Sequence, residues 1–284
     1  MMSSMQEAVS PRVVVTDHWL AHPRGRIFAR TWADAAALDG KPAPIVLLHD
    51  SLGCVALWRD FPERLAVATG RSVIAYDRPG YGRSDPRSDR LAPTFVSDEA
   101  HSGFAAVRAQ LGFRKFVLFG HSVGGGMAVH CAVRFPDDCE ALITESAQAF
   151  VEDRTIDGLQ AAKAQFADAG QISRLEKYHG SKARWVLDAW TETWLAPGFA
   201  SWSLGDALPQ VRAPALVIHG TLDEYGSARH PEMIARSCAG PARLALMADT
   251  HHVPHRERPE EVVALVHGFL DPGGAPPVRD GHDA

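Results

Sequence analysis

The segment Gly120-His121-Ser122-Val123-Gly124 has the composition that a nucleophilic serine requires. A serine hydroxyl is a weak nucleophile at neutral pH and needs a base to take its proton. An apolar run, 116–119, leads into this segment, and a helical pattern follows it to about Phe135, where Pro136 stops it. In a sharp strand-to-helix turn the serine adopts strained backbone angles, and glycines two residues to either side relieve the crowding. The turn also aims the Val123 N–H at a substrate oxygen, at a helix N-terminus where negative charge is favoured. A tetrahedral oxyanion needs a second donor. The N–H of Ser51, in His49-Asp50-Ser51-Leu52-Gly53 after an earlier apolar run, is the candidate, against the plainer reading of an ordinary Gly-containing turn.

The base and its orienting acid have to be chosen among fourteen histidines and many carboxylates. His252 lies just beyond the run 243–247, and Asp223 just beyond the run 214–219. Both positions correspond to the C-terminal ends of neighbouring strands, where open α/β sheets build their sites. His251 and His255 invite a metal reading with His252, but no second cluster supplies a carboxylate-rich set. They are read as solvated neighbours of the base, and no metal is expected. His49 and His121 flank the site in structural or supporting roles, and with Asp50, Trp190 and Trp194 they are the candidates for the substrate pocket. Gly80, Gly82 and Ser84 shape a loop that lacks the lysine and spacing of a phosphate-binding loop.

The elements that position these residues alternate between strand and helix, which favours a mostly parallel sheet covered on both faces. Strands are expected at 13–15, 26–32, 45–48, 72–76, 116–119, 141–144, 214–219 and 243–247. Helices are expected at 57–69, 97–111, 231–238 and 259–270, besides the one after Ser122. The short apolar strands are those of a sheet buried on both faces. The stretch 147–208 breaks the alternation, reads as several helices, and concentrates Trp185, Trp190, Trp194 and Trp202. It is expected to be a helical lid inserted in a core of 11–146 and 209–271, with one or two of its aromatics facing substrate and the others packing its own small core. Residues 1–10 and 272–284 are expected to be disordered.

Bulk properties narrow the partners. A net charge of −5 gives no reason to expect nucleic acid or an anionic membrane. No apolar run approaches the roughly 20 residues that span a bilayer, and the polar start lacks a signal-peptide pattern. Cys54, Cys131, Cys139 and Cys238 form no CxxC pair, so reduced thiols and a cytoplasmic location are the simplest expectation.

From Val13 to Leu270 the chain resembles the α/β-hydrolase superfamily. The matching segments, in order, are 45–49, the loop Asp77-Arg78-Pro79-Gly80-Tyr81-Gly82-Arg83-Ser84, Gly120 to Gly125, Ile218 to Asp223, and His252 to Pro259. The resemblance implies an eight-stranded, mostly parallel sheet, a Ser122–His252–Asp223 triad in the family's chain order, and no cofactor. It prefers His252 over His251 because Glu257 and Pro259 stand at the family's offsets after the base. Glu145 is the rival acid, since some members place it at the end of an earlier strand. The chain departs from the pattern at Asp50, where a glycine usually follows the histidine, and at His251, where a glycine is frequent. The implied function is hydrolysis of a small, apolar or aromatic ester or lactone through an acyl-enzyme on Ser122. C–C bond hydrolysis, acyl transfer or cofactor-free oxygen chemistry on the same triad is the alternative, and a non-catalytic small-ligand receptor is a second.

Overall fold

The computed structural model describes residues 13–34 and 42–273. Segments 1–10 and 272–284 fall outside these residues except for Pro272 and Gly273. Eight strands form one sheet: β1 (Val13–His22), β2 (Gly25–Asp34), β3 (Ile45–Leu48), β4 (Val73–Tyr76), β5 (Phe116–His121), β6 (Cys139–Glu145), β7 (Ala215–Gly220) and β8 (Ala242–Met247). Their order is β1-β2-β4-β3-β5-β6-β7-β8. The β1–β2 and β2–β4 pairs are antiparallel, and every later pair is parallel.

Every residue of β3, β4, β5 and β7 is buried, because helices cover both faces. Side chains alternate between two cores, as strand geometry demands. Phe116 and Leu118 pack with Phe104 and Val107 of α3 (Gly103–Leu111) and Met127 of α4 (Val123–Arg134). Val117 and Phe119 pack on the other face with Leu65 of α1 (Phe61–Thr69) and Val262 of α10 (Pro259–Leu270).

The three largest differences from the sequence reading concern the first strand and two helices. The first strand runs to His22, because its pairing with β2 continues through Thr16, Asp17 and His18, which face water and give no apolar alternation. The helix expected at 57–69 begins at Phe61, with Pro62 in its first turn and a separate 3-10 turn over Val55–Trp58 before it. The helix expected at 97–111 is split into α2 (Phe95–Asp98) and α3. Glu99 turns inward at the break to accept from the Tyr76 hydroxyl at 2.6 Å.

Between β6 and β7 run α5 (Asp153–Gln165), α6 (Ala169–His179) and α7 (Ala183–Trp194). Trp194, Phe199 and Trp202 pack ring on ring at centroid separations of 5.1 to 5.5 Å, and Trp185 packs on Tyr81 at 5.5 Å. The insertion is fastened to the core at two places. Buried His179 accepts from the Gly82 N–H at 2.9 Å and donates to the Leu52 carbonyl at 3.0 Å, while Lys182 donates to the carbonyls of Tyr81, Gly82 and Ser84. At the other end, Thr155 donates to the Tyr225 carbonyl at 2.7 Å and Arg154 to the Asp223 carbonyl at 3.1 Å. Among the described residues, no helix is long and apolar enough to cross a membrane.

The remaining helices, α8 (Arg229–Ser237) and α9 (Pro254–Glu257), flank the last two strands. β5 therefore delivers Ser122, β7 delivers Asp223 and β8 delivers His252 to one edge of the sheet.

Candidate active site

Ser122 sits between β5 and α4 at φ 55° and ψ −125°, a backbone region that costs a non-glycine residue about 1–3 kcal/mol. The surrounding contacts leave no room for side chains at the flanking glycines. A Cβ on Gly120 would lie 2.2 Å from the Gly124 carbonyl oxygen, and one on Gly124 would lie 2.1 Å from the Leu48 oxygen. The glycines are thus dictated by the approach of α4 to the ends of β3 and β5.

The Ser122 Oγ lies 3.0 Å from His252 Nε2. On the other side of the ring, His252 Nδ1–H donates to both Asp223 oxygens, at 2.9 and 2.8 Å. This bond fixes the tautomer whose Nε2 is free to accept a proton from the serine. Burial pushes the Asp223 carboxyl up, but His252, His219 and the Tyr225 N–H outweigh it and hold the group at about 2. Burial alone would lower the His252 pKa, yet the charge and hydrogen bond of Asp223, with Asp50 and Glu224, hold it above the ordinary value.

Val123 is the first residue of α4, so its N–H has no acceptor within the helix. Among the described residues, the Ser51 N–H makes no backbone hydrogen bond. Ser51, Ser122 and His252 line one cavity of about 250 Å³, together with Asp50, Leu159, Trp190, Trp194 and Tyr225. The arrangement can deprotonate a hydroxyl and hold an oxyanion beside it. Gln148, three residues past β6, also lines the cavity, with its side-chain oxygen 3.2 Å from Ser122 Oγ. Sequence reasoning missed it, and its only signal was its place just past a strand end.

Two expected pocket residues do not reach the cavity. His49 is buried and donates from Nδ1 to the Asp50 carbonyl at 2.8 Å, while its Nε2 accepts from the Arg78 N–H at 3.2 Å. His121 is buried against Trp58 and His255, and its Nε2 donates to the His252 carbonyl at 2.8 Å. Both support the loops from beneath, His49 bonded to the main chain through both ring nitrogens and His121 through Nε2.

The rival acid and the histidine expected to be solvated are partners of each other. Glu145 receives the His255 N–H at 2.9 Å and the His255 Nδ1–H at 2.5 Å. Both side chains are buried, so His255 is not a solvated neighbour of the base. His251 is half exposed and pairs with Glu257 at 3.1 Å. Burial raises Glu145 to about 7, against the opposing pull of His121 and the His255 N–H. Burial likewise lowers His255 to about 3 and His121 to about 4. His121, Glu145 and His255 offer ligand atoms within 4.8 Å of one another, a spacing that a metal ion could use. In this structure hydrogen bonds already occupy the Glu145 carboxylate, His255 Nδ1 and His121 Nε2.

The chain is 29% identical over 262 residues to polyketide synthase ThaQ of Burkholderia thailandensis, a match covering 84% of the chain but 12% of the synthase. It is 28% identical over 213 residues to the human serine hydrolase BPHL, covering 70% of the chain and 69% of that protein. The fold superposes on a bacterial membrane phospholipase A with a TM-score of 0.71 at 20% identity, covering 91% of this chain and 86% of the other. A family model described as alpha/beta hydrolase family matches residues 45–265. That span includes Ser51, Ser122, Asp223 and His252, and the chain belongs to the alpha/beta hydrolase family.

Proposed function

We infer that the chain is a serine hydrolase that cleaves a small, largely apolar or aromatic ester or lactone through an acyl-enzyme on Ser122. The observation that carries this reading is the unbroken chain from Asp223 to His252 to Ser122 Oγ, at 2.8 and 3.0 Å, opening into a cavity of about 250 Å³. His252 takes the Ser122 proton as the oxygen attacks the carbonyl, and Asp223 stabilises the imidazolium without taking the proton itself. The N–H groups of Ser51 and Val123 receive the oxyanion, a contribution of about 3 kcal/mol per donor. The proton passes to the leaving alkoxide, and His252 then activates water for deacylation. The insertion acts as a lid whose Leu159, Trp190 and Trp194 form the apolar wall. The similarity to a relative named as a serine hydrolase supports the same reading.

The test is labelling with a fluorophosphonate followed by intact mass measurement. One adduct per chain is expected, and none in Ser122→Ala or His252→Ala. A full adduct persisting in Ser122→Ala would overturn the assignment. A burst of chromogenic alcohol from p-nitrophenyl esters, followed by water-dependent turnover, distinguishes hydrolysis from acyl transfer.

A further inference from the structure

Asp50 directly follows the buried strand-end histidine His49, and no step of the mechanism above uses its carboxylate. Its backbone is rigidly held: the carbonyl receives Arg78 Nη2 at 2.8 Å and His49 Nδ1 at 2.8 Å. Its side chain has a place reserved for it, because a Cβ on Gly53 would lie 2.0 Å from Asp50 Oδ1. The residue lines the same cavity as Ser122 and adjoins the oxyanion donor Ser51.

A carboxylate beside an oxyanion hole opposes the charge that develops there, so a position built to hold one asks for a reason. The cavity is also lined by Glu224 and Glu257, but both of these serve the base loop. Glu224 accepts from the His252 N–H at 3.1 Å, and Glu257 accepts from the His251 N–H at 3.0 Å. The Asp50 carboxylate differs from them. Among the described residues it makes no hydrogen bond, and its nearest basic contact is His121 Nδ1 at 4.0 Å. Among the described residues, no lysine or arginine lines this cavity, while Trp190, Trp194 and Tyr225 do. A carboxylate without a hydrogen bond, on the wall of a cavity that aromatic rings also line, is a recognition element for a cation.

We propose that Asp50 selects ester substrates that carry an ammonium group a few bonds from the scissile carbonyl. This rests on the ester-hydrolase reading and sharpens it to a substrate class. The ammonium, placed between Asp50 and the developing oxyanion, satisfies the carboxylate and removes the repulsion that a neutral substrate leaves in place. The same cavity disfavours acyl groups ending in a carboxylate or phosphate.

The test compares methyl 3-amino-3-phenylpropanoate with its deaminated analogue, methyl 3-phenylpropanoate, at a pH where the amine is protonated. The readout is the ratio of their kcat/KM values within each variant, which partial unfolding cannot alter. A wild-type preference for the amino ester of about tenfold to a hundredfold is expected from one charge-assisted hydrogen bond. Asp50→Asn is expected to bring the ratio near one, and Asp50→Glu to keep its direction. A wild-type ratio near one, or a preference that survives Asp50→Asn, overturns the proposal while leaving the hydrolase reading standing. If neither ester turns over and Ser122 takes no fluorophosphonate, the hydrolase reading fails and the proposal falls with it.

Discussion

Two carboxylate–imidazole pairs, whose histidines stand three residues apart after β8, are tuned in opposite directions. Asp223 is held at about 2, and its charge helps to hold His252 above the ordinary imidazole value. Glu145 rises to about 7 while His255 falls to about 3, so that pair carries its proton on the carboxyl over much of the acid range. The contacts are of similar length, 2.8 and 2.5 Å. What differs is the surroundings. Asp223 also receives the N–H groups of Tyr225 and Gly226, at 2.8 and 3.1 Å, which stabilise its charged form. Glu145 receives one backbone N–H, that of His255, and is fully buried. The charge and hydrogen bond of His252, joined by His219 and the Tyr225 N–H, outweigh burial at Asp223, whereas burial dominates at Glu145.

The largest effect that would break this comparison concerns turnover. Asp223→Asn is expected to lower kcat by about 10⁴-fold, since the amide no longer fixes the base tautomer. Glu145→Gln is expected to lower it by no more than about tenfold, the worth of one hydrogen bond. Steady-state kinetics on any turned-over ester decide the matter, and a reversal of the two effects would exchange the roles of the acids. Glu145→Ala should instead reduce stability by about 3 kcal/mol, read by urea unfolding, because two His255 donors lose their acceptor.

A smaller effect lies in the pH dependence of stability. Asp223, depressed in the fold, contributes stability above its ordinary 3.8 that is lost as pH falls through about 2. Glu145, raised in the fold, contributes stability below its ordinary 4.5 that is lost as pH rises through about 7. His255 contributes above 6.5, and that contribution is lost as pH falls through about 3. Between 4.5 and 6.5 the Glu145 and His255 slopes cancel, one proton having moved from ring to carboxyl. Glu145→Gln removes one side of the cancellation. Its stability should rise with pH, relative to the parent, by about 1.4 kcal/mol per unit across this window. Parallel curves for the two proteins would show that Glu145 is already ionised there.

The smallest effect concerns the base. The acid limb of kcat/KM against pH should lie above the free-imidazole value of 6.5, since the base acts only when neutral. Glu224→Gln should move that limb to lower pH, because Glu224 helps to raise His252. A limb that stays in place would assign the shift to Asp223 and Asp50 alone.

The sequence made the nucleophile turn readable because backbone geometry leaves few choices there: Gly120 and Gly124 stand where any side chain would strike a carbonyl. Buried strands such as Ile45–Leu48 and Phe116–His121 were readable for a similar reason, since both faces require apolar residues. The Glu145–His255 pair was not. Its members are 110 residues apart, and no local pattern distinguishes a buried histidine from a solvated one. Gln148 was hidden in the same way, being an ordinary polar residue until the fold brings it to Ser122. The exposed half of β1 escaped because a strand at the sheet edge can be polar on its open side.

The fastening of the insertion has a mechanical consequence. His179 grips Leu52, beside Ser51, while Thr155 and Arg154 grip Tyr225 and Asp223. The helical insertion is therefore a span with one footing in the loop that carries Ser51 and the other in the loop that carries Asp223. Sagging or twisting of that span loads the two loops together. Damage far out on the insertion thus shifts both at once, even where no contact with the cavity is lost.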